Sequence, residues 1–217
     1  MDTQGIYGFD VAVTRADDID KKMLADVVFR KESGQTSSVL DLGCGGGGQS
    51  ARLAVTGAVV LGVDVCDYAD AYTVLRADYG LSQDVLKFIQ GDMLQLQTVL
   101  GEQSFDMICF QRTLHYMPYK NAVGVLQELR ARMNAGGKLY VSVTGLESDI
   151  GLQYEDATKL VERRFCRLPD ADAETFHITE PVCLYTPEEF VVLLQESGWN
   201  IEECWISAFG NIKAICT

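Results

Sequence analysis

The sequence predicts an α/β fold: a doubly wound, seven-stranded sheet, mostly parallel, that closes on an antiparallel C-terminal hairpin. Three observations carry the prediction. Short, almost wholly apolar strands alternate with stretches of helical periodicity as far as residue 143, the pattern of a parallel sheet covered on both faces. A glycine run, Gly43 to Gly48, follows the first strand and precedes a helix. The chain then ends differently, in a helix and two strands joined by only Phe209-Gly210-Asn211, a joint too short for anything but a hairpin.

The elements follow in order. Asp17 to Ser33 reads as a helix, with acidic residues at its start, Ile19, Met23, Val27 and Arg30 near one face, and Gly34 to close it. Ser38 to Leu42 is the first strand, and a helix starts at Gln49 after the glycines. Ala58 to Val63 is the second strand. Tyr68, Ala71, Tyr72, Leu75 and Tyr79 repeat at helical spacing until Gly80 stops them. Val85 to Gln90 and Phe105 to Phe110 are the third and fourth strands. Ala122, Val125, Leu126, Leu129 and Met133 mark a helix ended by Gly136-Gly137, and Leu139 to Val143 is the fifth strand. Thr186-Pro187-Glu188-Glu189 is a capping box with proline at the first helical position, and Tyr185 with Phe190 forms its hydrophobic staple. That helix stops at Gly198, and Ile201 to Ala208 and Ile212 to Cys216 are the hairpin strands. Gly145 to Leu184 fits no strand and is too long for an ordinary connection, so it is expected to be an insertion or mobile lid. The chain reads as one domain: an N-terminal cap (1–37), a core (38–143), the lid (144–185), and the closing helix and hairpin (186–217).

The strongest local signal is Asp41-Leu42-Gly43-Cys44-Gly45-Gly46-Gly47-Gly48. Gly43, Gly45 and Gly48 satisfy G-x-G-x-x-G between a strand and a helix. Asp64 ends the next strand, where that pattern expects an acid for a ribose. Three features favour S-adenosylmethionine over a dinucleotide. Asp41 lies two residues before the first glycine, where a carboxylate suits a cationic ligand and gives a pyrophosphate nothing. Gly91-Asp92-Met93 follows the third strand, offering an acid to an adenine amino group. The ending is a hairpin rather than a sixth parallel strand.

On these residues the chain resembles the class I S-adenosylmethionine-dependent methyltransferases, of the small soluble kind, from Ser38 to Val143. VLDLGCGGGG is similar to the family's D-x-G-x-G-x-G through Asp41, Gly43, Gly45 and Gly47, and GVDV, QGDM and FDMICFQRTLHYMP to its later motifs. The resemblance implies a Rossmann-like sheet and S-adenosylmethionine as cofactor. It implies that Asp64 binds both ribose hydroxyls, that Asp92 lies near the adenine amino group and that Met93 packs on the ring. Cys44, Val65 and Gln111 are expected beside the cofactor, and Arg15 is expected to reach its carboxylate. The run of four glycines departs from the family, whose members commonly carry side chains at some of these positions.

Transfer of a methyl from a sulfonium needs donor and acceptor held in line, and a base only where the acceptor must lose a proton. His115, after the fourth strand, is the candidate base; a structural or cofactor-proximal histidine is the competing reading, since Leu-His recurs at this place in the resembling enzymes. Arg112 could hold an anionic substrate or pair with a neighbouring acid. Cys44 reads as a small buried filler. Tyr154, Phe165, Phe176, His177 and Tyr185 either line an acceptor pocket or pin the lid, and Arg163, Arg164 and Arg167 read as a solvated helix face.

Thirty-one acidic residues against eighteen basic give a net charge of -13, so the isolated chain is not expected to bind nucleic acid. A hydrophobic content of 47% with 23% charged residues excludes a disordered chain. No apolar run reaches the roughly 20 residues of a membrane span, and no signal pattern opens the sequence. Seven cysteines without paired spacing read as reduced cytoplasmic thiols, and two histidines argue against a zinc site. The expected partner is a small-molecule acceptor. The alternatives are a methyltransferase of protein or RNA working with a partner subunit, a non-catalytic cofactor-binding module and, more remotely, a nicotinamide-dependent oxidoreductase. The sequence leaves the oligomeric state and the acceptor atom open.

Overall fold

The computed structural model describes residues 7, 8, 10, 14 and 16–217. Its seven strands are β1 (Ser38–Leu42), β2 (Val59–Asp64), β3 (Leu86–Gln90), β4 (Phe105–Gln111), β5 (Met133–Thr144), β6 (Ile201–Ile206) and β7 (Asn211–Cys216). They form one sheet in the order β3-β2-β1-β4-β5-β7-β6. β1 pairs in parallel with β2 and β4, and β2 with β3, whereas β6 and β7 pair antiparallel. This is the doubly wound, Rossmann-like sheet with its C-terminal hairpin that the alternating pattern predicts.

The residues group into two compact units. One comprises the described part of Asp10–Cys109 together with Arg132–Tyr140. Here helix α1 (Asp18–Glu32) opens on a capping box: Asp17 accepts from the backbone of Ile19 and Asp20, and Asp20 returns the bond to Asp17. Its Ile19, Met23 and Val27 are buried, and the helix packs on α2 (Gly48–Thr56). Helix α3 (Ala69–Tyr79) lies against β3 and ends at Gly80 in the left-handed conformation. A short helix, α4 (Leu96–Leu100), precedes β4 and has no counterpart in the sequence reading.

The other unit comprises Phe110–Ala131 and Val141–Thr217, with Tyr7 and Gly8. Helix α5 (Tyr119–Ala131) packs on α7 (Pro187–Glu196). α7 starts on the expected capping box, Thr186 with Glu189, and the Tyr185 and Phe190 rings meet edge-on at 6.3 Å as its staple. Between them, α6 (Asp170–Phe176) ends at His177 in the left-handed conformation.

Two expectations need correction. Gly136 and Gly137 do not end α5, which stops at Ala131; they lie inside β5, which starts at Met133. Gly137 is needed there because a Cβ would lie 2.8 Å from the Asp106 carbonyl oxygen and 2.3 Å from the Met133 sulfur. Arg164 is not on a solvated face: it is 4% exposed, although Arg163 and Arg167 are exposed. Its guanidinium forks onto both carboxylate oxygens of Glu189, at 2.6 and 3.0 Å, and donates to the carbonyls of Leu184 and Lys159. The segment expected as a lid is therefore tied to the first turn of α7. It also has a core of its own, with Tyr154, Leu168, Ile178, Val182 and Leu184 buried together.

Candidate active site

In the first unit the site is built on the turn from β1 into α2. Gly43, Gly45 and Gly47 have φ of 70°, 52° and 83°, a region side chains rarely enter. These are the alternate glycines of D-x-G-x-G-x-G; Gly48 instead starts the helix. At Gly47 a Cβ would also stand 2.7 Å from the Tyr72 ring. The loop is moored to β2 by the amides of Gly43 and Cys44, both donating to the Val63 carbonyl.

Asp64, the last residue of β2, is part-buried at the mouth of this loop. Its carboxylate accepts from the backbone N–H of Gly45 at 2.9 Å and of Cys66 at 3.0 Å. Burial outweighs these bonds and holds its pKa above the usual carboxylate value. Val65 beside it is exposed, and its carbonyl accepts from Gln90. Asp92 is part-buried and accepts from the Leu94 amide, capping the turn Met93–Gln95; Met93 is part-buried on that turn.

Asp41 is 4% exposed and lies beneath the loop. It accepts from the Ser50 hydroxyl at 2.5 Å, and Ser50 bonds the Tyr72 hydroxyl at 2.7 Å. Desolvation pushes the Asp41 carboxyl up to about 6, against the opposing bonds from Ser50 and Cys109. Cys44 is 5% exposed, and its thiol is raised well above its ordinary value by burial and then by the Asp41 charge. It is a filler, as read, and no thiolate nucleophile. Sequence reasoning missed Ser50 and Tyr72, which support Asp41, and Asp10. The Asp10 carboxylate accepts from the Gly46 amide at 2.8 Å. Arg15 lies outside the described residues.

In the second unit, Gln111 ends β4 part-buried, and Arg112 follows it. His115 is 2% exposed, its carbonyl accepts from the Cys183 amide, and its Nδ1 has no hydrogen-bond partner among the described residues. Burial first, then the Arg112 charge, lowers its pKa to about 3, so the imidazole is neutral and a weak base. Tyr116 stacks its ring 4.2 Å from that of His115 and donates its hydroxyl to the Tyr7 carbonyl at 2.7 Å. Tyr154 and Tyr185 are buried at 3% and 0% exposure, which makes them pins of the insertion, while His177 is exposed. No group of three or more potential metal ligands occurs among the described residues.

Comparison with known proteins agrees with this construction. Residues 39–137 match the methyltransferase domain family. Over 105 residues the chain is 34% identical to the ubiquinone biosynthesis O-methyltransferase of Histophilus somni (strain 2336), covering 48% of this chain and 43% of that protein. Over 112 residues it is 39% identical to the sterol 24-C-methyltransferase of Pneumocystis carinii (strain B80), covering 48% and 27%. The chain thus spans less than half the length of these two relatives. Among solved structures, the 1,6-didemethyltoxoflavin-N1-methyltransferase of Burkholderia thailandensis, with bound 1,6-didemethyltoxoflavin and S-adenosylhomocysteine, has the same fold at a TM-score of 0.64 and 17% identity. That match covers 92% of this chain and 77% of the other. Residues 39–137 are thus similar to a methyltransferase domain, and the sheet has the fold of a solved methyltransferase.

Proposed function

We propose that this protein transfers a methyl group from S-adenosylmethionine to a small-molecule acceptor. The observation that carries the reading is Asp64 at the end of β2, its carboxylate held by the Gly45 and Cys66 amides beside a loop of three left-handed glycines. The residues fit the cofactor. A carboxylate oriented by two backbone amides suits a ribose diol, and the left-handed glycines let the loop backbone approach a ligand closely. The Gly46 amide already holds a carboxylate, that of Asp10. Bound there, the cofactor supplies a methyl group activated on a sulfonium.

The chain's own residues bind and orient. Asp64 takes the ribose hydroxyls and Asp92 the adenine edge, with Met93 against the ring. Asp41 acts through Ser50 and the loop backbone, being buried, and its negative form favours a cation above it. His115, neutral at ordinary pH, accepts a hydrogen bond or a proton only weakly, which suits positioning better than general-base work. A small acceptor agrees with the net charge of -13 and with the compounds named for the relatives above.

Calorimetry with S-adenosylhomocysteine and with NAD tests the cofactor: micromolar binding of the first and none of the second is expected, and the reverse overturns the reading. Turnover of labelled methyl donor with a small-molecule extract tests the acceptor. Labelling only of macromolecules would replace it with a protein or RNA substrate.

A further inference from the structure

We infer that Arg112 anchors a negatively charged group of the acceptor, a carboxylate or phosphate, so that the substrate is a small organic anion; this rests on the methyl-transfer reading for what happens to the anion, though not for its binding. The first observation is strain. Arg112 has φ of 51°, and among the described non-glycine residues only His177 shares a positive φ. His177 closes helix α6, where left-handed geometry commonly ends a helix. Arg112 closes no helix. It follows β4, and its amide is fixed by the carbonyl and the hydroxyl of Ser142, at 2.9 and 3.1 Å. A bulky residue held in this conformation at the carboxyl end of a sheet strand is the kind of strain that function retains.

The second observation is the missing counter-ion. The chain has thirty-one carboxylates to eighteen basic side chains. Arg164, Arg30, Lys138 and Lys159 each have a carboxylate within 4 Å. The part-buried Arg112 guanidinium has none among the described residues, nor a carbonyl to donate to. Its charge acts instead on the neutral His115 and on Tyr116, whose rings lie 4.2 Å apart, with Tyr7 edge-on to Tyr116 at 5.0 Å. The Arg112 charge reaches both His115 and Tyr116, lowering the pKa of the first and opposing the rise in the second. The 98%-buried His115 leaves Nδ1 without a partner among the described residues, a second polar atom open to one. A forked cation, an unsatisfied imidazole nitrogen and aromatic rings match an anion carried on a planar, apolar body.

The test is binding of benzoate, phenyl phosphate and neutral benzamide to the full-length protein, followed by thermal shift and by imidazole NMR signals, with and without S-adenosylhomocysteine. Wild type is expected to bind benzoate or phenyl phosphate, with benzamide at least tenfold weaker, and to shift the His115 resonances. Which anion binds tells the carboxylate from the phosphate. Arg112→Asn, which tolerates left-handed backbone, should bind the anions roughly tenfold to a hundredfold more weakly, and Arg112→Lys should recover part of the loss. Equal binding of benzamide, undiminished anion binding by Arg112→Asn, or no millimolar binding by wild type each overturns the inference. Because S-adenosylhomocysteine affinity is measured separately, loss of cofactor binding with anion binding intact would refute the methyl-transfer reading alone.

Discussion

Replacing Asp41 by asparagine isolates the cost of keeping a carboxyl group beneath the glycine loop. In the folded chain Asp41 is 4% exposed, and desolvation raises its pKa from 3.8 to about 6. The sign follows from proton counting. Between about pH 4 and pH 6 the folded state holds a proton that the unfolded state has released, so stability falls as pH rises. A gap of about two pH units amounts to about 3 kcal/mol, fully expressed above pH 6 and absent below pH 4. Asparagine keeps an oxygen for the Ser50 hydroxyl and cannot ionise. Urea unfolding of both proteins from pH 3.5 to 7.5 measures the difference directly. Any offset from the altered hydrogen bond is constant with pH, so the stability of Asp41→Asn relative to wild type should climb by about 3 kcal/mol across the window. Its steepest slope should be near 1.4 kcal/mol per pH unit. A difference that stays flat would show that the carboxyl ionises as it does in the unfolded chain, and the argument from burial would fail.

His115 supplies the opposite slope: its pKa falls from 6.5 to about 3, so stability is whole above pH 6.5 and is lost as pH falls, by about 5 kcal/mol at pH 3, and His115→Gln should lose less in the same titration. Asp64→Ala should weaken S-adenosylmethionine binding by about 3–6 kcal/mol, at roughly 1.5–3 for each charge-assisted bond, and calorimetry showing unchanged affinity in a folded variant would remove Asp64 from the site. Gly47→Ala should cost about 2–5 kcal/mol in urea unfolding, combining left-handed strain with a Cβ 2.7 Å from the Tyr72 ring. Glu189→Gln preserves the capping box yet leaves the buried Arg164 without a counter-ion, and its unfolding free energy should drop by about 3–5 kcal/mol.

What the sequence alone determined about this protein is what neighbours in the chain decide. Apolar runs of five or six residues located the strands, and their alternation with helical periods implied a parallel sheet. Alternate glycines after Asp41 marked the turn that needs left-handed backbone, and Thr186-Pro187-Glu188-Glu189 marked the start of α7, because capping bonds form within one helical turn. The places of Asp64 at the end of β2 and Asp92 just after β3 were legible because strand ends are local. The tertiary structure decided whatever depends on who sits opposite. Arg164 looked like its exposed neighbours Arg163 and Arg167 until Glu189, 25 residues on, covered it. β5 begins at Met133 because a sheet partner takes the backbone where glycines suggested a helix end. Ser50 and Tyr72 support Asp41 across 9 and 31 residues of chain, and the Asp10 carboxylate meets a loop 36 residues away. The same logic governs Arg112: a sequence shows that an arginine is present, whereas whether a carboxylate stands within reach is a property of the folded chain, because ion pairing and desolvation depend on distance in space.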